Sequence, residues 1–437
     1  MKIIIHKGTN EIGGSCVELS TKNTRILLDY GTPLKADSSQ VKISEPIDAV
    51  LISHPHQDHF GEIVNIDSHT PVYCGALTLE LMNATKIFTG SELLVNSFKI
   101  FEAFKTFFVG DFKITPYMVD HSAIDAYAFL VEADGKKVLY SGDFRANGRK
   151  AKLFEKMIAD ENLKNLDILL MEGTMLRRSN DEFPIEKSVE DKIYTTIKEH
   201  DNISFMIASS QNIDSLVSAY RASKRANKIF VIDIYTAWIL EKVKLVSSSV
   251  PNMFWNDVKV IRNYGGSYYK KVKANSEYFK EFTYEVFKKE NVIDLETIKR
   301  DPSKYFLKVS QWHIEKMIKK LELQDANIIY SQWLGYLQEE YSHREAVEVL
   351  NHLKINYNWV YAHTSGHADL DTLQKFARSL TPKKLIPIHT EYKEAFENHF
   401  ENVMVLNDDE VYDVEANLLS SYQVDKLNEL IKEELNG

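Results

Sequence analysis

Residues 47–61 read IDAVLISHPHQDHFG, and this stretch decides the fold. The apolar run 49–52 has the make-up of a buried strand, and it stops at Ser53. Four residues able to ligate a metal follow at once: His54, His56, Asp58 and His59. Alternate side chains of an extended segment share a face, so His54 and His56 can reach one ion. A helical turn directly after them swings Asp58 and His59 toward a second ion nearby. A histidine-rich surface loop accounts for one or two such residues, but not for four directly behind a core strand.

The pattern of apolar strand followed by polar residue recurs outward from this stretch. Short strands are expected at 3–5, 16–19 and 26–28, joined by GTNEIGG and TKNT turns. Asp29 ends the third, where a carboxylate either orients a ligand histidine or caps a turn. Further strands are expected at 72–74, 98–101 and 112–118, the last leading to His121. The stretch AYAFLVE-ADG-KKVLYSGD reads as a hairpin turning at Asp134-Gly135, and its second arm delivers Asp143. Strands at 167–171 and 385–388 deliver Glu172 and His389 in the same way. Polar residues placed repeatedly at strand ends describe an active-site edge.

From about residue 185 the pattern changes. A strand at 205–208, a helix at 212–226 carrying Ile213, Leu216, Val217 and Tyr220 on one face, and a strand at 228–234 imply a parallel sheet. Residues 275–323 read as mostly helical, 326–330 as strand and 338–354 as helix. A strand at 359–362 leads into His363-Thr364-Ser365-Gly366-His367, and a helix follows with Leu370, Leu373, Phe376, Ala377 and Leu380 on one face. The expected domains are 1–185, an inserted α/β domain at 186–362, and a return segment at 363–437 that ends in a short helix at 423–435. Trp255, Trp312 and Trp333 read as core. The run from Tyr264 to Lys271, with Lys273, mixes aromatics and cations as a single-strand binding surface does, or as a packed loop and a solvated helix face do.

Composition narrows the class. With 437 residues, 44% hydrophobic and 27% charged, the chain has the balance of a soluble protein of two or three domains. No apolar stretch reaches the length of a membrane span, so no membrane partner is expected. The start, MKIIIHKG, is too short an apolar run for a secretory signal. Two cysteines, Cys16 and Cys74, make no disulfide framework and suit a reducing cytoplasm. The net charge of −10, from 53 Lys and Arg against 63 Asp and Glu, confines any nucleic-acid path to a local patch.

Together the strand ends supply His54, His56, Asp58, His59, His121, Asp143 and His389. Imidazoles and carboxylates without thiolate suit two zinc ions per chain, with Mn(2+) the weaker candidate. A carboxylate bridging ions about 3.5–4 Å apart would hold a shared water, activated as hydroxide. HPHQDH with the spaced His121 and Asp143 resembles the metallo-β-lactamase fold, a four-layer αββα sandwich. Glu172, His367 and His389, flanking an inserted α/β domain, are similar to the three extra motifs of its β-CASP branch, which includes ribonuclease J. The resemblance implies that His54, His56 and His121 hold one zinc, that Asp58, His59 and His389 hold the other, and that Asp143 bridges. It gives Asp29 a supporting role, sets Glu172 against the metal loop and has His367 face the scissile phosphate.

The catalytic set expected is therefore His367, Asp58, Glu172 and Asp143, acting on phosphodiester bonds of single-stranded RNA, with DNA or a small phosphodiester or ester as alternatives. A non-catalytic RNA-processing subunit is the reading from another class; such relatives lose metal ligands, and all seven are present here. The step Ser209-Ser210-Gln211-Asn212 at a helix start either holds a phosphate on backbone amides or caps the helix. His363, with Ser365 beside it, either binds a terminal phosphate or packs on its strand. Exonucleolytic and endonucleolytic modes and homodimer formation stay open.

Overall fold

The computed structural model describes residues 1–421 apart from 36, 44–45, 92, 180, 201 and 263–265. The helix expected at 423–435, and Tyr264 and Gly265 of the aromatic–basic run, lie outside the described residues. The chain divides into two compact units. Met1–Met82, Leu94–Ser179 and Gly366–Gly437 form the first, and Asn83–Leu93 with Asn180–Ser365 form the second.

In the first unit the strands are β1 (Lys2–Lys7), β2 (Cys16–Ser20), β3 (Arg25–Leu28), β4 (Ala49–Leu51), β5 (Pro71–Cys74), β6 (Ser97–Ile100), β7 (Phe107–Val109), β8 (Phe112–Met118), β9 (Tyr127–Ala133), β10 (Lys136–Tyr140) and β11 (Ile168–Glu172). The second unit carries β12 (Ser204–Ala208), β13 (Ile229–Ile232), β14 (Val258–Ile261), β15 (Val292–Ile293), β16 (Tyr305–Lys308), β17 (Asn327–Ser331) and β18 (Asn358–Tyr361). The chain returns to the first unit with β19 (Lys384–Ile388), β20 (Glu410–Asp413) and β21 (Leu418–Ser421). Among the described residues the first unit holds two sheets, ordered β21-β20-β1-β2-β3-β4-β5-β6 and β19-β11-β10-β9-β8-β7.

Period-two burial explains why these sheets stack. Ile26 and Leu28, Val138 and Tyr140, and Ile168 and Leu170 point into one core shared by both sheets, joined there by Ile3, Ile5, Phe129 and Ile386. The residues between them point the other way. Leu27 and Val50 meet Phe60, Ile63 and Met82, while Leu139, Leu169 and Met171 meet Phe154, Met157, Leu373 and Phe376 of helices Lys152–Ala159 and Leu370–Leu380. Helices thus cover the outer face of each sheet, which makes the αββα sandwich. The β9–β10 hairpin turns at Asp134 (φ 52) and Gly135 (φ 70), the paired positive φ values of a type I′ turn.

The second unit is a seven-stranded sheet ordered β15-β14-β13-β16-β12-β17-β18, with every pair parallel. Here one expectation needs an addition and one a correction. The stretch 275–323 is mostly helical, as expected, but it also holds β16, which lies at the centre of the sheet. All four β16 residues are buried, so no alternation sets YFLK apart from the helices around it. Trp312 is 49% exposed rather than core. Its helix, Gln311–Leu321, buries Ile314, Met317, Ile318 and Leu321, a face that excludes position 312. Residues 83–93 group with this unit because Phe88 stacks on Tyr235 at 4.5 Å and Gln211 donates to Thr85 Oγ1. Of the aromatic–basic run, Tyr269 is buried and Lys271 donates to Phe88 O at 2.7 Å. No helix among the described residues is long and apolar enough to cross a membrane.

One buried charge group in the first unit yields a test. Glu18 accepts from Arg25 Nε and Nη2 at 2.9 Å each and faces His6 Nε2 at 3.1 Å, while His6 Nδ1 meets Asp409 at 2.8 Å. Burial alone pulls the His6 imidazole down, but the hydrogen bonds to Asp409 and Glu18 outweigh it and raise its pKa to about 8. The raised pKa means that the stabilisation is complete below the ordinary value of 6.5 and is lost as pH rises through about 8. Urea unfolding at pH 6 and pH 9 should show wild type losing ~2 kcal/mol more than His6→Gln over that interval. Equal losses in the two proteins would remove His6 from the account.

Candidate metal centre

The HPHQDH stretch leaves β4 and reaches His56, which is extended at φ −78 and ψ 143; one helical turn, Gln57–Phe60, follows. Backbone donors hold this loop from behind, with Ser15 N to Asp58 O at 3.0 Å, Tyr30 N to His59 O at 2.8 Å and Thr32 N to Gln57 O at 2.9 Å. Only glycine fits at position 31, where a Cβ would fall 1.7 Å from Asp58 O. His121 follows β8, Asp143 follows β10 and Glu172 ends β11. Gly142, at φ 53, turns the chain into Asp143 at a point where a Cβ would meet Tyr127 O at 2.6 Å. Parallel pairing of β11 with β19 sets Glu172 opposite Ile388, and so brings His389 alongside. His389 itself takes φ 47 and Asp29 takes φ 61, left-handed conformations that favour glycine elsewhere.

These side chains converge. His54 Nε2 and His121 Nε2 approach His56 Nδ1 at 3.0 and 3.2 Å. The ligand atoms of that trio lie within 4.8 Å of one another, and so do those of Asp58, His59 and His389. Asp143 joins the two trios, since its Oδ2 lies 3.7 Å from His54 Nε2 and 3.1 Å from His59 Nε2. It also clusters with Glu172, His367 and His389. The seven residues expected as ligands therefore occupy one site, with Glu172 and His367 at its edge. His367 Nδ1 is 3.2 Å from Glu172 Oε1 and 3.8 Å from Asp143 Oδ2. Glu172 is fully buried and also accepts from Thr174 N and Ala368 N at 3.0 and 3.3 Å.

In four of the five expected ligand histidines, His54, His59, His121 and His389, the far nitrogen is engaged, which aims the near one. His54 Nδ1 meets Ser53 Oγ at 3.0 Å, His59 Nδ1 meets Asp29 Oδ2 at 2.7 Å, His121 Nδ1 donates to Gly366 O at 2.6 Å and His389 Nδ1 meets Thr174 Oγ1 at 2.9 Å. Asp29 accepts as well from Ser53 N, Ser53 Oγ and Tyr140 OH, each at 2.7 Å. Ser53, Tyr140 and Thr174 were not singled out from the sequence. Their signal is position alone, because each sits at a strand end within three residues of a polar site residue.

Burial holds His54 and His121 well below the usual imidazole range, with neighbouring histidines adding to it, and holds His56 down at about 4. Those three rings are neutral at pH 7 and present lone pairs, the form that binds metal. Burial opposes charge on His59 too, but Asp143, Asp29 and Asp58 push it well above its usual range. Burial works against the Asp58 and Asp143 carboxylates, yet His59 and His389 bring Asp58 down to about 2, and His389, His59 and His367 hold Asp143 well below the carboxylate range. His367 is raised, burial being outweighed by Glu172 and Asp143. Two buried atoms, His59 Nε2 and Asp143 Oδ1, make no hydrogen bond. Unpaired buried donors and acceptors are costly, and a divalent cation satisfies both of these. The imidazole and carboxylate set fits such an ion.

The remaining expected residues lie in the second unit. Ser209 is exposed. Ser210 is buried, with Lys308 Nζ donating to its Oγ at 2.6 Å and Thr236 Oγ1 at 2.9 Å, while Asn212 caps helix Ile213–Arg225 by accepting from Ser215 N. His363 is half-buried with its ring 6.4 Å from that of Tyr361, and Ser365 is half-buried.

Residues 24–199 match the beta-lactamase superfamily domain, and residues 353–410 match the Zn-dependent metallo-hydrolase RNA specificity domain. The chain is similar to an RNase J-like protein of Methanocaldococcus jannaschii, 26% identical over 410 residues that cover 88% of this chain and 91% of that protein. It is also similar to the ribonuclease J of Helicobacter pylori strain 26695, 26% identical over 252 residues, 53% of this chain and 36% of that one. The crystal structure of a protein of unknown function from Enterococcus faecalis V583 has the same fold, with a TM-score of 0.73 at 19% identity over 94% of this chain and 99% of that one.

Two measurements test the centre. Elemental analysis of the desalted protein should find tightly held metal, and chelation should lower stability by ~4 kcal/mol relative to metal at a thousandfold its Kd. Asp29→Asn should weaken metal binding by roughly 10–100-fold in competition with a chromogenic chelator. Undiminished affinity would make Asp29 a turn cap only.

Proposed function

From its place in the β-CASP branch of the metallo-β-lactamase-fold metallohydrolases, we propose that this chain hydrolyses phosphodiester bonds of single-stranded RNA. The metal-ligand cluster serves a hydrolase of many substrates, so it does not choose among them. The choice rests on the His367–Glu172 pair, 3.2 Å apart with His367 Nδ1 3.8 Å from Asp143. Such a pair places a proton donor beside the carboxylate that joins both trios, as a reaction with an alkoxide leaving group requires. The match of 353–410 to an RNA specificity domain, and the names of the similar proteins, favour RNA over DNA or a small ester.

In this reading His54, His56 and His121 would hold one zinc, Asp58, His59 and His389 would hold a second, and Asp143 would serve as a ligand between the two trios; manganese is the alternative. Bound metal supplies a nucleophile at neutral pH and neutralises charge on the phosphoryl oxygens. The chain's own residues do the rest. Glu172 fixes His367 through Nδ1, so that the opposite edge of the ring delivers a proton to the departing oxygen. Thr174 and Ser53 keep His389 and His54 turned toward the cluster. The two cysteines are free and buried, which is consistent with a cytoplasmic location.

The deciding experiment is cleavage of 5′-labelled RNAs bearing a triphosphate or monophosphate, and of a circular RNA, by metal-loaded protein. Wild type should cut RNA. Asp58→Ala and His367→Ala should each lose 10²-fold or more in kcat, on the order expected for general acid–base residues. Cleavage of DNA alone, or of a chromogenic phosphodiester alone, would transfer the reading to an alternative. Normal RNA cleavage by either variant would end it.

A further inference from the structure

Beyond the metal cluster, the segments carrying Glu172 and His389 stay tied together for several more residues. Thr174 Oγ1 contacts His389 Nδ1 at 2.9 Å and Thr390 Oγ1 donates to Gly173 O at 3.1 Å. Next, Arg178 Nη2 pairs with Glu391 Oε2 at 2.8 Å, and Lys35 Nζ reaches the other oxygen at 3.5 Å. The last contact in this series is of another kind. The Arg177 guanidinium lies over the Tyr392 ring, 4.6 Å from its centroid. Tyr392 is 36% exposed and Arg177 is exposed. Among the described residues Arg177 makes no ion pair.

The backbone under the ring is fixed, since Tyr392 N donates to Thr390 Oγ1 at 3.1 Å. Two cations, Lys35 and Arg178, therefore share one carboxylate, Glu391, and a third, Arg177, lies over the neighbouring Tyr392, on a chain of net charge −10. Local positive charge beside an exposed aromatic face is what an unpaired nucleotide recognises, through phosphate attraction and base stacking. A guanidinium plane serves as a stacking surface in its own right.

We propose that Arg177 and Tyr392 form a platform for one base of the RNA, a few nucleotides from the bond that is cut. The proposal rests on the ribonuclease reading above. The platform selects an unstacked base without reading its sequence, because every base offers a π face. Single-strand preference then arises within the first unit itself, from residues three and five positions away from a proposed metal ligand and from Glu172.

The test compares a short RNA series, in which each nucleotide in turn is replaced by an abasic one, across wild type, Tyr392→Ala, Tyr392→Phe and Arg177→Ala. Wild type should show a rise in KM of about tenfold at one position only. Tyr392→Ala and Arg177→Ala should abolish that position's penalty, and Tyr392→Phe should retain it. The ratio of kcat/KM for RNA to that for bis(p-nitrophenyl) phosphate should fall about tenfold in both alanine variants. Equal losses on both substrates, or an abasic penalty that persists in Tyr392→Ala, would overturn the platform. A wild type that cuts RNA with no position-specific penalty sinks this proposal alone; one that cuts no RNA sinks the function beneath it as well.

Discussion

The first unit depends on one fully buried carboxylate. Asp29 stands at the end of β3, in one sheet, and accepts four hydrogen bonds of 2.7 Å. Two come from Ser53, at the end of the neighbouring β4, and one comes from Tyr140, the last residue of β10 in the other sheet. The fourth comes from His59, in the metal loop. A buried carboxylate is tolerable only when its lone pairs are matched in this way. Because the partners come from two sheets and a loop, removing any one exposes a cost that cannot be repaired locally. The left-handed backbone at Asp29 is the strain accepted to aim the side chain there.

This placement explains the order of the layers around the site. Sheets packed face to face leave their strand ends together at one edge, and turns from both sheets meet there. His54 and Asp58 arrive from the first sheet, and His121, Asp143, Glu172 and His389 from the second. Neither sheet carries a whole trio of donors. His121 completes the trio with His54 and His56, and His389 completes the one with Asp58 and His59.

The strands of the sandwich and the polar residues at their ends were legible in the sequence because period-two burial and abrupt polar stops are local signals. Asp134-Gly135 announced its own turn. Local signals failed where burial was uniform, as in β16, whose four residues carry no alternation to betray a central strand. They failed again at Trp312, where residue type suggested core but helix phase turned the ring outward. Pairing was harder still. Nothing in residues 384–388 says that they will lie parallel to β11, 216 positions earlier in register, yet that pairing is what sets Glu172 beside His389. The supporting hydroxyls of Ser53, Tyr140 and Thr174 have no compositional mark at all.

The β11–β19 pairing also bears on how the protein comes into being. His389 is reached only after the whole second unit has been synthesised, and β19 occupies the edge of its sheet. A nascent chain that has already folded β1 to β11 still lacks the third donor of one trio and the histidine of the Glu172 pair. Long-range parallel pairing is slow to form. The hydrolytic centre therefore stays incomplete at least until translation has passed β19. A chain interrupted upstream of β19 would carry most of the sandwich and no finished centre.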